Sequence, residues 1–230
     1  MIFTATQAFS ANHSFYIGGS LSQTSISGKR NDSATNERLV DKNLTNNKSI
    51  HRKNAYGGVF AGYLFRIENF GIGPEFFYNY GKLEETISGT HSDPLGPINT
   101  TFDITHKLTN QAGANVRFGY FLDSYFLYTL LGIHSQTSQF YAKAKHIDLG
   151  VGTEEDYNYK TKKKNTNVFS FGFGVQKSIA ENYAIGLECK FANFPNKNFT
   201  WNLGDADTTK LTSSFKYQLR SINLKLMYVF

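Results

Sequence analysis

Few side-chain combinations in this chain could do covalent chemistry. Its six histidines are scattered, with neither the HExxH spacing nor any other that would put two imidazoles on one metal ion. The single cysteine, Cys189, excludes an intrachain disulfide and a cysteine-based zinc site. Glu84-Glu85 and Glu154-Glu155-Asp156 are adjacent carboxylates in polar stretches, which reads as solvated turns rather than as a general acid and base. His134 precedes Ser135, yet no acidic residue is clearly placed to orient that imidazole toward a hydroxyl. The glycine pairs precede no helix, so they form no phosphate loop. The expectation is no enzyme, no cofactor and no resident metal.

Charge says more. There are 24 basic and 18 acidic side chains, a net charge of +6 with histidine neutral. The cations gather in two polar stretches: Lys29, Arg30, Arg52 and Lys53 in one, and Lys143, Lys145, Lys160, Lys162, Lys163 and Lys164 in the other. Such clusters bind anionic polymers or phosphorylated lipid with an affinity that falls as salt rises. Asp148, Glu154, Glu155 and Asp156 temper the second cluster, so an ordinary solvated basic surface stands beside specific binding as a reading.

The elements that carry these residues follow from hydrophobic patterning. Mean hydropathy is −0.38, and no run approaches the ~18 apolar residues of a membrane helix. Barrel strands alternate apolar and polar residues, so membrane residence stays open. Ile222, Leu224, Leu226, Tyr228 and Phe230 occupy every second position, with Lys225 between them; a helix would fold Lys225 into the apolar stripe. The same texture recurs in Phe15–Ser22, Phe70–Tyr80, Ala112–Tyr120, Tyr125–Ile133, Phe169–Gln176 and Tyr183–Phe191. In Ala55–Phe65 either parity fits, and Val59, Ala61, Tyr63 and Phe65 are assigned to the apolar face. Eight strands result.

Their connections alternate in length. Arg66–Asn69, Leu122–Ser124 and Ile179–Asn182 suit tight hairpin turns. Between them Ser27–Asn54, Gly81–Leu108, Ser138–Thr166 and Pro195–Ser214 each run roughly 20 to 30 polar residues, which a compact soluble domain seldom tolerates. Up-and-down hairpins with every long loop at one end account for this alternation, as in outer-membrane barrels. The expected fold class is all-β: an eight-stranded antiparallel up-and-down transmembrane β-barrel with four long external loops and short periplasmic turns. Residues 1–10 form a truncated signal-peptide remnant in this reading, ending in the small-x-small pattern Ala8-Phe9-Ser10 but lacking a basic start, and residues 11–230 form the barrel domain.

The paired GGVFAGYLF (57–65) and FGIGPEFFYNYG (70–81), the Gly-x-Gly texture and the terminal INLKLMYVF resemble the OmpA/Opa-type eight-stranded outer-membrane surface-antigen barrels, over nearly the whole chain. That resemblance implies a bacterial outer-membrane location with extracellular loops, and a terminal strand read by the outer-membrane assembly machinery, with Tyr228 and Phe230 matching the signal. It implies a monomer in outer-membrane lipid and lipopolysaccharide, and no nucleic-acid partner. Nothing matches the family's peptidoglycan-binding domain.

On the inward parity of such a barrel fall Glu75, Arg117, Glu188, Lys190 and Lys225. Glu75 and Arg117 lie at similar depth on neighbouring strands, suited to pairing, because an unpaired buried charge costs several kcal/mol. They read either as a polar plug or gate or as plain structural neutralisation. Pro74 interrupts the third strand and demands a bulge or a lost ladder bond. Three functions fit: a surface antigen or adhesin acting on a host glycan or receptor through its loops, a small porin-like channel, and a soluble lipocalin-type binding barrel.

Overall fold

Alternating residues bury one face per strand, and a sheet with apolar groups outside and polar groups inside is stable in lipid only when no edge is left unpaired. The structure, a computed structural model, describes residues 12–36, 44–92, 98–148, 152–203 and 209–230. The expected signal remnant, 1–10, lies outside them. Among the described residues there are eleven strands: β1 (His13–Asn36), β2 (Leu44–Ile67), β3 (Phe70–Gly81), β4 (Leu83–Ser92), β5 (Ile98–Leu122), β6 (Tyr125–Asp148), β7 (Thr153–Lys160), β8 (Lys164–Ala180), β9 (Tyr183–Asn193), β10 (Lys197–Leu203) and β11 (Thr209–Val229).

Every pairing is antiparallel. The order β1–β2–β3–β5–β6–β8–β9–β11 returns to β1, where Tyr16 pairs with Val229 and Leu21 with Leu224, so eight strands close a ring. β4, β7 and β10 prolong β3, β8 and β9 beyond short breaks. The turns Glu68-Asn69 and Asp123-Ser124 each start with a left-handed residue, Glu68 at φ 55° and Asp123 at φ 51°, which matches the twist of the flanking strands. At Pro74 the β2–β3 ladder lapses between the pairs Gly62–Glu75 and Phe65–Ile72 and resumes in the same register, a lost bond rather than a bulge.

The outward side chains make an apolar belt: Phe15, Ile17, Leu21, Val59, Phe65, Ile72, Phe76, Phe118, Leu131, Phe171, Leu187, Leu224 and others are all exposed. From Ile222 to Phe230 the belt spans roughly 21 Å for a strand tilted by about 40°, approaching the apolar height of an outer-membrane barrel. The assigned parity of Ala55–Phe65 agrees, with Val59 and Phe65 outside and Tyr56, Phe60 and Leu64 buried within.

The long polar connections differ from the expectation in one respect: much of their length is strand. β1 stays paired with β2 as far as Ala34–Leu44 and with β11 as far as Asn36–Thr209. Above the belt the wall divides, because among the described residues β2 and β4 do not pair, nor do β7 and β10. One sheet is β2–β1–β11–β10 and the other β4–β5–β6–β7. Between them lies an apolar core of Ile26, Tyr56, Phe215, Tyr217 and Leu219 from the first and Leu83, Ile104, Leu108, Phe140 and Ala142 from the second. His106 stacks on Phe140 at 4.1 Å and bonds Tyr217, tying the two sheets. A second core fills the periplasmic end with Tyr16, Phe60, Leu64, Phe121, Phe126, Tyr128, Leu130, Met227 and Val229. A polar layer separates the two.

Candidate functional site

The polar layer holds the five charges expected on the inward parity, Glu75, Arg117, Glu188, Lys190 and Lys225. Glu75, on β3, is fully buried, as is Arg117 on β5, and the two are joined at 3.2 Å between Oε2 and Nη1. Lys225 on β11 reaches two carboxylates at once, 2.7 Å from Glu75 Oε1 and 2.7 Å from Glu188 Oε2. Lys190 is set apart, with Glu188 Oε1 at 4.0 Å.

Neutral groups complete the network. The hydroxyls of Tyr16 and Tyr128 donate to Glu75 and Glu188, at 3.3 and 3.1 Å. Asn115 donates to Glu75 and Asn223 to Glu188. Arg117 donates to Tyr16 Oη and to Gln176 Oε1 and lies 3.9 Å from the Tyr128 ring centre. In a low-dielectric lumen these bonds offset the desolvation of each charge, and they hold the side chains rigid. The tyrosines and amides were silent in the sequence, since alternation fixes which way they point but not what they meet.

The chemical reading of His134 and Ser135 dissolves on geometry. Successive strand residues point to opposite faces, so His134 is buried in the lumen while Ser135 points away from it. Glu84 and Glu85 part for the same reason: Glu84 is exposed and bridges Lys82 at 2.6 Å and Lys107 at 3.6 Å, whereas Glu85 turns inward.

The outer surface sorts the basic residues into paired and unpaired sets. Lys145 forms an ion pair with Glu154, and Lys143 sits across the β5–β6 ladder from Asp103. Lys160, Lys162, Lys163 and Lys164, at the β7–β8 junction, are all exposed and have no ion pair among the described residues; Lys160 lies over the Tyr141 ring at 5.5 Å. Thr161 anchors their segment by bonding the backbone of Phe140. A second basic strip crosses β2–β1–β11. Lys29 pairs in register with Lys216, and Ser25 pairs with both Lys53 and Arg220. All four cations are exposed. The Arg30 side chain lies outside the described residues. Lys216 and Arg220 form no cluster in sequence because they lie four residues apart, with Gln218 on the outward position between them; the outward parity of β11 was the signal that could have found them.

At the periplasmic rim Tyr228 and Phe230 face outward, their rings 4.9 Å apart, with Phe230 also 5.4 Å from Phe15 across the β1–β11 seam. Phe230 N–H donates to the Phe15 carbonyl.

No curated protein matches the sequence. Solved structures to which it is similar include the outer membrane protease OmpT of Escherichia coli, at 12% identity over 94% of this chain and 97% of that one with a TM-score of 0.49. The attachment invasion locus protein Ail of Yersinia pestis, solved with the heparin analogue sucrose octasulfate, is 16% identical over 92% of this chain and 99% of that one, with a TM-score of 0.31. The outer membrane protein OprG of Pseudomonas aeruginosa is 12% identical over 96% of each chain, with a TM-score of 0.45. Residues 1–230 match the family described as the outer membrane protein beta-barrel domain. With that match joined to a closed eight-stranded ring and its lipid-facing belt, the chain belongs to the outer membrane protein β-barrel family and resides in the outer membrane.

Proposed function

We propose that this barrel is a surface interaction protein of adhesin type, which binds acidic glycans, sulfated or phosphorylated, through the cations of its external hairpins. The observation that carries the reading is the sorting of charge. Lys143 and Lys145 face carboxylates, while Lys160, Lys162, Lys163 and Lys164 and the strip Lys29, Lys53, Lys216 and Arg220 are exposed with no ion pair among the described residues. Such groups keep their full field for a polyanion, and each cation near an anionic surface contributes about 1 kcal/mol. Catalysis forms no part of the proposal. Apolar cores above and below the charge layer argue against a conducting pore. The lipid-facing belt and outer-membrane residence set the lipocalin-type reading aside. Tyr228 and Phe230 are proposed as the assembly signal, being aromatic, outward and at the periplasmic end of the strand that closes the ring against β1.

The test is binding of the folded protein, in detergent micelles, to immobilised heparin and to lipopolysaccharide over a sodium chloride series. Replacing Lys160, Lys162, Lys163 and Lys164 with glutamine should weaken binding at least about tenfold and flatten its salt dependence. Unchanged affinity in a variant that still shifts mobility on boiling rejects the reading.

A further inference from the structure

Two glycines face the lumen beside the charge layer. Gly113 lies between Phe77 on β3 and His134 on β6, and Gly132 between Asn115 on β5 and Ser170 on β8. With no side chain at Gly113, the Phe77 and His134 rings approach to 6.2 Å. At Gly132 the Asn115 amide leans across the strand and fills the place a Cβ would take. Lys190 reaches into this space from β9. Its Nζ is 3.4 Å from Asn115 Oδ1, 4.0 Å from the Phe77 ring centre and 4.0 Å from Glu188 Oε1. His134 is 2% exposed, Ser170 5% and Lys190 7%. Both ring nitrogens of His134 and the Ser170 hydroxyl have no hydrogen-bond partner among the described residues. The Nε2 of Gln111, two residues along β5 from Gly113, has none either.

A neutral compartment would be served by water, which donates and accepts alike. This one carries charge. Arg117, Lys190 and Lys225 face Glu75 and Glu188, three cations against two carboxylates, so the layer holds a surplus of +1. Arg117 and Lys225 take the short carboxylate contacts, at 3.2 and 2.7 Å, which leaves the surplus on Lys190. The unpartnered groups nearby include an amide N–H₂, a hydroxyl and an imidazole N–H, each able to donate, beside the acceptor nitrogen of the same imidazole, and Lys190 has two more N–H bonds to give beyond the one to Asn115.

We propose that the compartment binds a small inorganic anion of chloride size, held by Lys190 Nζ with His134 N–H and Ser170 Oγ–H as further donors. The anion neutralises the layer and satisfies donors that burial would otherwise leave unpaired. A cation is excluded by Lys190 itself. The site is independent of the glycan reading, because it lies inside the barrel and the lysines of that reading lie outside.

Apolar cores close the lumen at both ends, so the ion must enter as the barrel folds. The test is therefore to refold the protein with bromide in place of chloride and to collect diffraction at the bromine edge. An anomalous peak touching Lys190 Nζ is expected; ordered side chains around density for water alone overturn the proposal. Lys190→Met keeps an unbranched apolar stem one atom shorter and leaves the Glu75–Arg117 and Lys225 contacts in place, and it should abolish the peak. A peak that persists there overturns the assignment of Lys190. Should that variant fail to fold, the wild-type protein decides alone: its unfolding midpoint should be higher in chloride than in gluconate at equal ionic strength, and equal midpoints overturn the proposal.

Discussion

Removing Lys225 sets two arguments against each other. By charge count, Lys225→Met should help, because three cations and two carboxylates become two of each. By geometry it should do harm. Lys225 Nζ lies 2.7 Å from Glu75 Oε1 and 2.7 Å from Glu188 Oε2, and at an effective dielectric near 20 each contact is worth about 6 kcal/mol before desolvation is charged against it. After the substitution Glu75 keeps Arg117 at 3.2 Å, but Glu188 is left with Lys190 at 4.0 Å and two neutral donors, Tyr128 and Asn223. Breaking a buried pair so that one charge is stranded costs about 3–5 kcal/mol, and that is the loss expected for Lys225→Met. Glu188→Gln added to it removes the stranded charge and should restore most of the stability. The assay is urea unfolding in micelles, followed by circular dichroism and by the mobility shift between boiled and unboiled samples. If Lys225→Met is as stable as the native barrel, or if the two substitutions simply add, net charge rather than pairing governs the lumen and the argument fails.

Four further outcomes are expected. Gly62 lies under the Tyr16 ring, so Gly62→Ala presses a methyl against a side chain that is 1% exposed and holds Glu75 and Arg117 through its hydroxyl; a loss of about 1–3 kcal/mol is expected by urea unfolding, shrinking in a Tyr16→Phe background. Glu68 occupies the left-handed region at φ 55° in the β2–β3 turn, and Arg66 bonds its backbone carbonyl, which Asn retains, so Glu68→Asn should raise stability by about 0.5–1 kcal/mol; an unchanged midpoint would show that no strain resides there. Phe126 is 1% exposed in the periplasmic core, 4.5 Å from the Phe121 ring, so Phe126→Ala should cost about 3–5 kcal/mol. Planar bilayers test the seal with the same pair of proteins: the native barrel should be silent, and steps of conductance from it would refute the closed lumen.

Inside the membrane band the sequence was legible because two solvents oppose each other there. Lipid outside and a polar lumen make alternation strict, so Ile222, Leu224 and Leu226 face out and Asn223 and Lys225 face in. Above the band both outer solvents are water, and the apolar parity inverts. On β11 the buried residues are Phe215, Tyr217 and Leu219, and the exposed apolar ones begin at Ile222 without any break in the strand. On β5 a register shift between Leu108 and Gln111 accomplishes the same inversion, leaving Ile104, His106 and Leu108 inside above it and Gln111, Gly113 and Asn115 inside below. Read at a fixed parity, β11 loses its apolar face at this height, which is why the strand there resembles a loop in sequence. The charge cluster was legible as positions but not as pairs. Glu75 and Lys225 are 150 residues apart and meet across the lumen, at a distance that ring closure sets and that no local pattern encodes.

The same inversion explains why the lumen keeps charges that a stack of leucines could replace. A strand slipped by one residue exchanges its two faces, and where both faces are apolar that slip is nearly free. In the band the exterior must be apolar, so only a polar interior makes the two faces unlike. A slip of β11 by one residue would drive Lys225 into hydrocarbon and strand Glu188 within, two penalties at once, whereas a slip against an apolar lumen would incur almost none. Above the membrane the asymmetry is restored by water outside, and the interior can revert to Phe140, Phe215 and Tyr217. The charge layer thus lies where hydrophobicity alone cannot tell inside from outside, and it serves to fix the register of the strands that raise the basic hairpins above the membrane.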